Sequence, residues 1–237
     1  INGTVSNSGV TTVTSGTVAG LDNSGTATVT GGSVSDFDNS GTATISDGVV
    51  ADLDNGSSGQ LTIEANGEVT VLANAGTASN AGEIGTLTNT GGTLTNTGTV
   101  TEVSTVSGGT VDNSGTLTGN VDVAAAGTLN TNGTVGGTID NDGTVTVGGG
   151  TVAGLNNTNT ATVNDGVVAA LTNSSTGQLV ININGSVTTL SNAGTASNAG
   201  TVGALTNSDG TFTNTGSVTG DATISGGSVT NSNTIAG

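Results

Sequence analysis

The sequence predicts an all-β chain: a parallel β-helix, or β-solenoid, of about fourteen coils of 15–19 residues. Three observations predict it. First, the chain repeats at an offset of 118 residues: NAGTASNAG at 74–82 returns unchanged at 192–200, and DGVVADLDNGSSGQL at 47–61 returns as DGVVAALTNSSTGQL at 165–179. Second, a finer period of about sixteen residues runs inside each copy, and such fixed-period self-similarity marks repeat architectures. Third, short runs of alternating apolar and polar residues are separated by Asn-, Asp- and Gly-rich punctuation. The domain reading is two tandem units, 1–118 and 119–237, in one continuous solenoid.

A Val-x-x-Leu/Phe pair opens each coil and is the predicted core. It stands at Val18/Leu21, Val34/Phe37, Val50/Leu53, Val69/Leu72, Ile84/Leu87 and Val100/Val103. The second copy supplies Val152/Leu155, Val168/Leu171, Val187/Leu190 and Val202/Leu205. Successive Leu or Phe positions fall 16, 16, 19 and 15 residues apart, and the 36-residue gap from Val103 to Ile139 fits two coils meeting near Val121.

The runs TATVT (26–30), TATIS (42–46) and TVTV (144–147) have the period-2 pattern of strands with one buried face. Thr and Val favour strands, while Gly and Asn weaken helix interiors, so helix is a poor reading. Asn two places after each core Leu or Phe is predicted to point inward as an amide ladder: Asn23, Asn39, Asn55, Asn74 and Asn89, then Asn141, Asn157, Asn173, Asn192 and Asn207. Gly25, Gly41 and Gly143 are expected at turn positions with positive φ. Left-handed solenoids keep a hexapeptide beat, and sixteen is not a multiple of six, so a right-handed coil is predicted.

Composition narrows the function. The chain has no Lys, Arg or His, 17 acidic residues and a net charge of −17. Nucleic-acid binding is excluded as a class, because affinity for phosphate backbones comes from Lys and Arg. Anionic lipid surfaces are disfavoured for the same reason, and no stretch approaches the roughly 20 apolar residues of a spanning helix. The absence of Cys, Met, Trp and Tyr as well suits a location outside the cell. Without an initiator Met or a signal peptide, the expectation is a mature piece or an excerpt of a longer protein.

Repeated strings such as GTLTNTGTV (92–100) and GTLNTNGTV (127–135) resemble the passenger regions of bacterial secreted adhesins. These are the autotransporter and two-partner-secretion exoproteins, including the filamentous haemagglutinin-like proteins. The resemblance covers the whole chain and is one of style rather than of a diagnostic motif. It implies a right-handed β-helix, export across a Gram-negative outer membrane, an extracellular or cell-surface location, and roles in adhesion, aggregation or biofilm matrix. The chain departs from that pattern in having no basic residue and only two aromatic ones, Phe37 and Phe212.

Catalysis finds few candidates. Nucleophile and general-base chemistry draws mainly on His, Cys or Lys, all absent here. Glu64 and Glu68 form the one local Glu pair that could serve a two-carboxylate glycosidase, but the corresponding stretch of the second copy carries neither acid. No enzyme is predicted. The sharper feature is acidic: Asp22, Asp38 and Asp54 follow successive core residues and are predicted to form an outward column, with Asp36 and Asp52 as a second column beside it.

Unit charges ~5 Å apart repel by roughly 1 kcal/mol in water, and no Lys or Arg relieves them. Asp22, Asp36, Asp38, Asp52 and Asp54 are therefore candidate Ca²⁺ ligands, oxygen donors being what that ion takes. The competing reading is a solvated acidic face that serves solubility. The second copy thins the column to Asp140, and no Ca²⁺-loop motif is present.

Thr26/Thr28 with Thr42/Thr44, and Thr144/Thr146 with Thr160/Thr162, form outward Thr arrays predicted to be two ranks deep, short for an ice-binding face. The leading functional expectation is the shaft of an extracellular bacterial fibre or adhesin, ~67 Å long at ~4.8 Å per coil. Its expected partners are further copies stacked end to end, or the continuation of a longer array, since open β-helix ends invite strand pairing. The alternatives are a module binding extracellular matrix or cell-surface glycans, and a Ca²⁺-dependent surface-layer component.

Overall fold

The structure is a computed structural model and describes residues 1–236. Every regular element among the described residues is a β-strand. They form two compact units, Ile1–Gly119 and Asn120–Gly237. Each is a parallel β-solenoid, and the chain makes about 14 turns, spaced about 16 residues apart.

One coil of the first unit shows how the residues dictate the path. The seven-residue strand Thr17–Asn23 buries Val18, Leu21 and Asn23. A Ser-Gly corner follows, then the four-residue strand Thr26–Val29, which buries Ala27 and Val29. A second corner leads into Ser33–Asn39, which repeats the course one coil on. Register is kept residue for residue: Leu21 lies beside Phe37 and Asn23 beside Asn39, then Phe37 beside Leu53 and Asn39 beside Asn55. The second unit follows the same course from Thr151–Asn157 through Val167–Asn173 to Ser186–Asn192.

The core is a stack of narrow apolar columns. Val18, Val34, Val50, Val69 and Ile84 form one, and Leu21, Phe37, Leu53, Leu72 and Leu87 another, all buried. Full burial of each such side chain stabilises by about 1.5–3 kcal/mol. Both aromatic side chains are fully buried, Phe37 between Leu21 and Leu53, and Phe212 between Ala196 and Val229. The 19-residue step from Leu53 to Leu72 leaves these columns intact, because its extra residues widen two corners. Gly59 N bonds Gly56 O at 2.8 Å in one, and Gly67 N bonds Glu64 O at 2.9 Å in the other.

Two expectations are corrected. Val103 is not the core partner of Val100: it is 49% exposed. The strand breaks after Val100, and the link to the next strand, which starts at Ser104, is one residue longer than in other coils, so Ser104 pairs with Leu87 and takes the core place, and Val106 replaces the next Asn beside Asn89. Val121 does fall where the 36-residue gap requires, buried and beside Ile139.

The second correction concerns glycine. Gly25, Gly41 and Gly143 do not have positive φ; that conformation belongs to others, such as Gly32 at 74°. Gly25 and Gly41 are required instead by the closeness of stacked corners. A Cβ on Gly41 would lie 2.2 Å from the carbonyl oxygen of Gly25, and one on Gly25 would lie 2.2 Å from that of Gly9.

Candidate functional site

The inward half of each coil is occupied by structure, so any site is on an outward face. Behind those faces, asparagine holds the corners. Nδ2 of Asn7, Asn23, Asn39, Asn55 and Asn74 each donates to Oδ1 of the next Asn in the column, ending at Asn89, at 2.7–2.8 Å. The second unit repeats this through Asn141, Asn157, Asn173, Asn192 and Asn207. Each amide also reaches turn carbonyls: Asn23 donates to Gly25 O at 3.2 Å and Thr42 O at 3.0 Å.

Rungs that begin a column accept from their own turn instead, as Gly143 N donates to Asn141 Oδ1 at 3.1 Å. The expected ladder is present. Sequence reasoning missed Asn7 and two further ladders, Asn80–Asn96–Asn113 and Asn198–Asn214–Asn231. Their common spacing of 16–17 residues was the available signal.

The predicted acidic columns are placed as expected. Asp22, Asp38 and Asp54 stand in direct register on adjacent coils, with Asp36 beside Asp52 one column over. All five are exposed. The local cause is the alternation of the long strand: Leu21, Phe37 and Leu53 point inward, so the next residue points out.

A shallow groove of about 440 Å³ runs along this face, lined by Asp22, Asp38 and Asp54 with Ser8, Ser24 and Ser40 at the corner. The middle carboxylate carries the electrostatic consequence. Partial burial raises the pKa of Asp38 above the usual 3.8, and the charges of Asp36, Asp54, Asp22 and Asp52 push in the same direction.

Among the described residues, no three acidic side chains converge as a metal cage. The face offers stacked columns of carboxylates, three deep and two deep, so the residues that could hold Ca²⁺ are Asp22, Asp36, Asp38, Asp52 and Asp54, with water supplying most of the ligands. In the second unit, Asp140 is not alone as the sequence suggested: Asp122 lies beside it on one side. On the other side Asn156 donates to its Oδ1 at 2.7 Å. A neutral amide thus stands where the first unit stacks a third carboxylate.

Glu64 and Glu68 flank one turn and are both exposed, and Glu68 stacks on Glu83 of the next coil. The pair faces solvent rather than a cleft.

The Thr arrays are deeper than the two ranks expected. The register carries Thr12, Thr28, Thr44, Thr62, Ser79 and Thr95 in one unbroken column of hydroxyls. The parallel column holds Thr26, Thr42, Gln60, Thr77 and Thr93. Sequence reasoning stopped at the widened corners around residues 56–59 and 64–67, which insert residues between strands without shifting the strands.

A helix long and apolar enough to cross a membrane does not occur among the described residues. Comparison with protein-family models, with curated proteins and with solved structures finds no match to this chain.

Proposed function

We propose that this chain is a structural shaft, part of an extracellular bacterial surface fibre or adhesin. The observation that carries the reading is the coil-to-coil register, kept by strand pairing and the Asn columns through each unit. Such a lattice resists local opening, because each coil is hydrogen-bonded to its neighbours along the strands and again through its corners. Seven or so coils at ~4.8 Å extend each unit by ~34 Å. The role is then geometric: to hold a binding tip at a distance or to build a mesh. The resemblance to secreted adhesins supports the cell surface as its location, and the residue set, without His, Cys or Lys, supports a non-enzymatic role.

A second reading, a Ca²⁺-dependent surface-layer component, is favoured by the five unrelieved carboxylates of the first unit. Electron microscopy of material shed from the source cells, with and without a chelator, tests both. Uniform fibres with an axial repeat of ~34 Å support the shaft. Sheets that dissolve under chelation support the surface layer. Short discrete rods, unchanged by chelation, reject both.

A further inference from the structure

The geometry points to a second activity, independent of the shaft reading: the face built by the four-residue strands binds the surface of ice. In the first unit this face consists of outward pairs on successive coils, Thr26/Thr28, Thr42/Thr44, Gln60/Thr62, Thr77/Ser79 and Thr93/Thr95, held in register by parallel pairing. The second unit presents Thr144/Thr146, Thr160/Thr162, Gln178/Val180, Thr195/Ser197 and Thr211/Thr213 in the same way.

Neighbouring strands set one repeat at about 4.8 Å, and alternate residues along a strand set the other at about 6.7 Å. The first lies close to one oxygen repeat of an ice prism face, and the second, which each rank spans only once, falls within an ångström of the other.

Three further properties favour crystalline water over other occupants. The first is charge. These ten ranks carry no acidic residue in a chain of net charge −17, and in the first unit Asp112, beside Thr95 on the next coil, bounds the face. A cationic or anionic partner has nothing to pair with here.

The second is availability. Hydroxyls at the corners are consumed by backbone: Ser24 and Ser40 donate to Asn7 O and Asn23 O, and Thr97 to Asn80 O. By contrast, Thr26, Thr28, Thr42, Thr44, Thr62, Thr77, Ser79, Thr93 and Thr95 make no side-chain hydrogen bond among the described residues.

The third is rigidity. Thr is stiff at χ1, so each Thr of the array offers a methyl and a hydroxyl at a fixed height, and little entropy is lost on binding. Ala27, Ala43, Leu61, Ala78 and Leu94 lie fully packed behind the face. The face also has a built-in defect. Gln60 and Gln178 interrupt the outer column at the same place in each unit, and their long side chains stand above the Thr plane.

The test is ice partitioning of the full chain. Dilute protein is frozen slowly onto a seeded ice surface, and the ice and liquid fractions are quantified by amino-acid analysis. The wild type is expected to enrich in ice. Thr28→Tyr with Thr44→Tyr disrupts two adjacent ranks of the first unit's multivalent array and lowers ice-bound protein about tenfold or more. Gln60→Thr with Gln178→Thr completes the column and raises it. Ser35→Tyr, exposed on a different strand, leaves it unchanged.

Circular-dichroism melting of each variant checks the fold, and if the double Tyr variant does not fold, the Gln→Thr pair decides. Exclusion of the wild type from ice overturns the proposal. So does equal retention of a folded Tyr variant, or no gain from the Gln→Thr pair. Selective adsorption to crystalline cellulose or chitin without ice, or a dimer that the Tyr substitutions break, assigns the face to another partner and equally overturns it.

Discussion

Asn39 and Asn55 are 16 residues apart in sequence, yet Nδ2 of Asn39 donates to Oδ1 of Asn55 at 2.8 Å inside the solenoid. Asn39 accepts in turn from Asn23 at 2.8 Å and donates to the turn carbonyls of Gly41 and Gln60. One buried side chain thus ties three coils. Replacement by Ala leaves Asn23 without its acceptor, Asn55 without its donor, and a cavity between them. Buried unsatisfied groups cost about 1–3 kcal/mol each, so Asn39→Ala is expected to destabilise by about 3 kcal/mol in chemical denaturation. Asn66→Ala, at an exposed corner, should stay within about 0.5 kcal/mol. Similar losses for the two would refute the ladder as a stabilising device.

Corner packing predicts a glycine contrast. Gly41→Ala forces a Cβ to within 2.2 Å of the Gly25 carbonyl oxygen, whereas at Gly91 the nearest atom would be 3.7 Å away. Gly41→Ala should cost about 1–3 kcal/mol as an overpacked site. Gly91→Ala should be near neutral. Thermal melts of the two variants decide, and equal Tm values would remove the steric account.

Ser104 occupies a core column beside Leu87, and its buried hydroxyl has no hydrogen-bond partner. The corresponding place in the second unit, beside Leu205, holds Ala222. Ser104→Ala should therefore stabilise by about 1 kcal/mol, since the desolvation cost of the hydroxyl disappears. In a chain of this size that raises Tm by about 2–4 °C. A lower Tm would mean the hydroxyl has a favourable contact that outweighs its burial.

The acidic columns predict a pH signature. Asp38 has its pKa raised by partial burial and by Asp36, Asp54, Asp22 and Asp52. A carboxyl that holds its proton more tightly when folded destabilises the fold while ionised. That penalty is present in full above the folded pKa. It is relieved as pH falls through that value toward the unfolded value of 3.8. Asp38→Asn should therefore raise Tm at neutral pH, by less than about 1 kcal/mol in stability because exposed charges are screened. The gain should shrink with added salt and vanish in acid. A gain that persists below the carboxylate range would point to packing rather than charge.

Much of this was legible in the residues. The coil length, the strands Thr26–Val29 and Thr42–Ile45, and the Val and Leu columns follow from a period-2 pattern nested in a period near sixteen. The acidic columns and the inward Asn were legible for the same reason. Strand alternation settles which residues face out, and a constant coil length sets which ones stack. The candidate cation ligands are thus placed by pattern alone, whereas the environment that raises the Asp38 pKa is three-dimensional.

Tertiary structure decided what lies where the period slips. Glu102 and Val103 lengthen one coil, so Ser104 rather than Val103 enters the core, and no local feature of the string says which residue yields. The corners at 56–59 and 64–67 widen to absorb extra residues, so the Thr columns continue through a length change that the sequence presents as a break. Gly25 and Gly41 are required by the carbonyl of the coil beside them, not by their own φ. The physical reason is common to all three. Sequence alternation sets the direction of each side chain within a strand, but register between coils is a contest among core packing, corner hydrogen bonds and steric contact, and that contest is settled only when the coils stack.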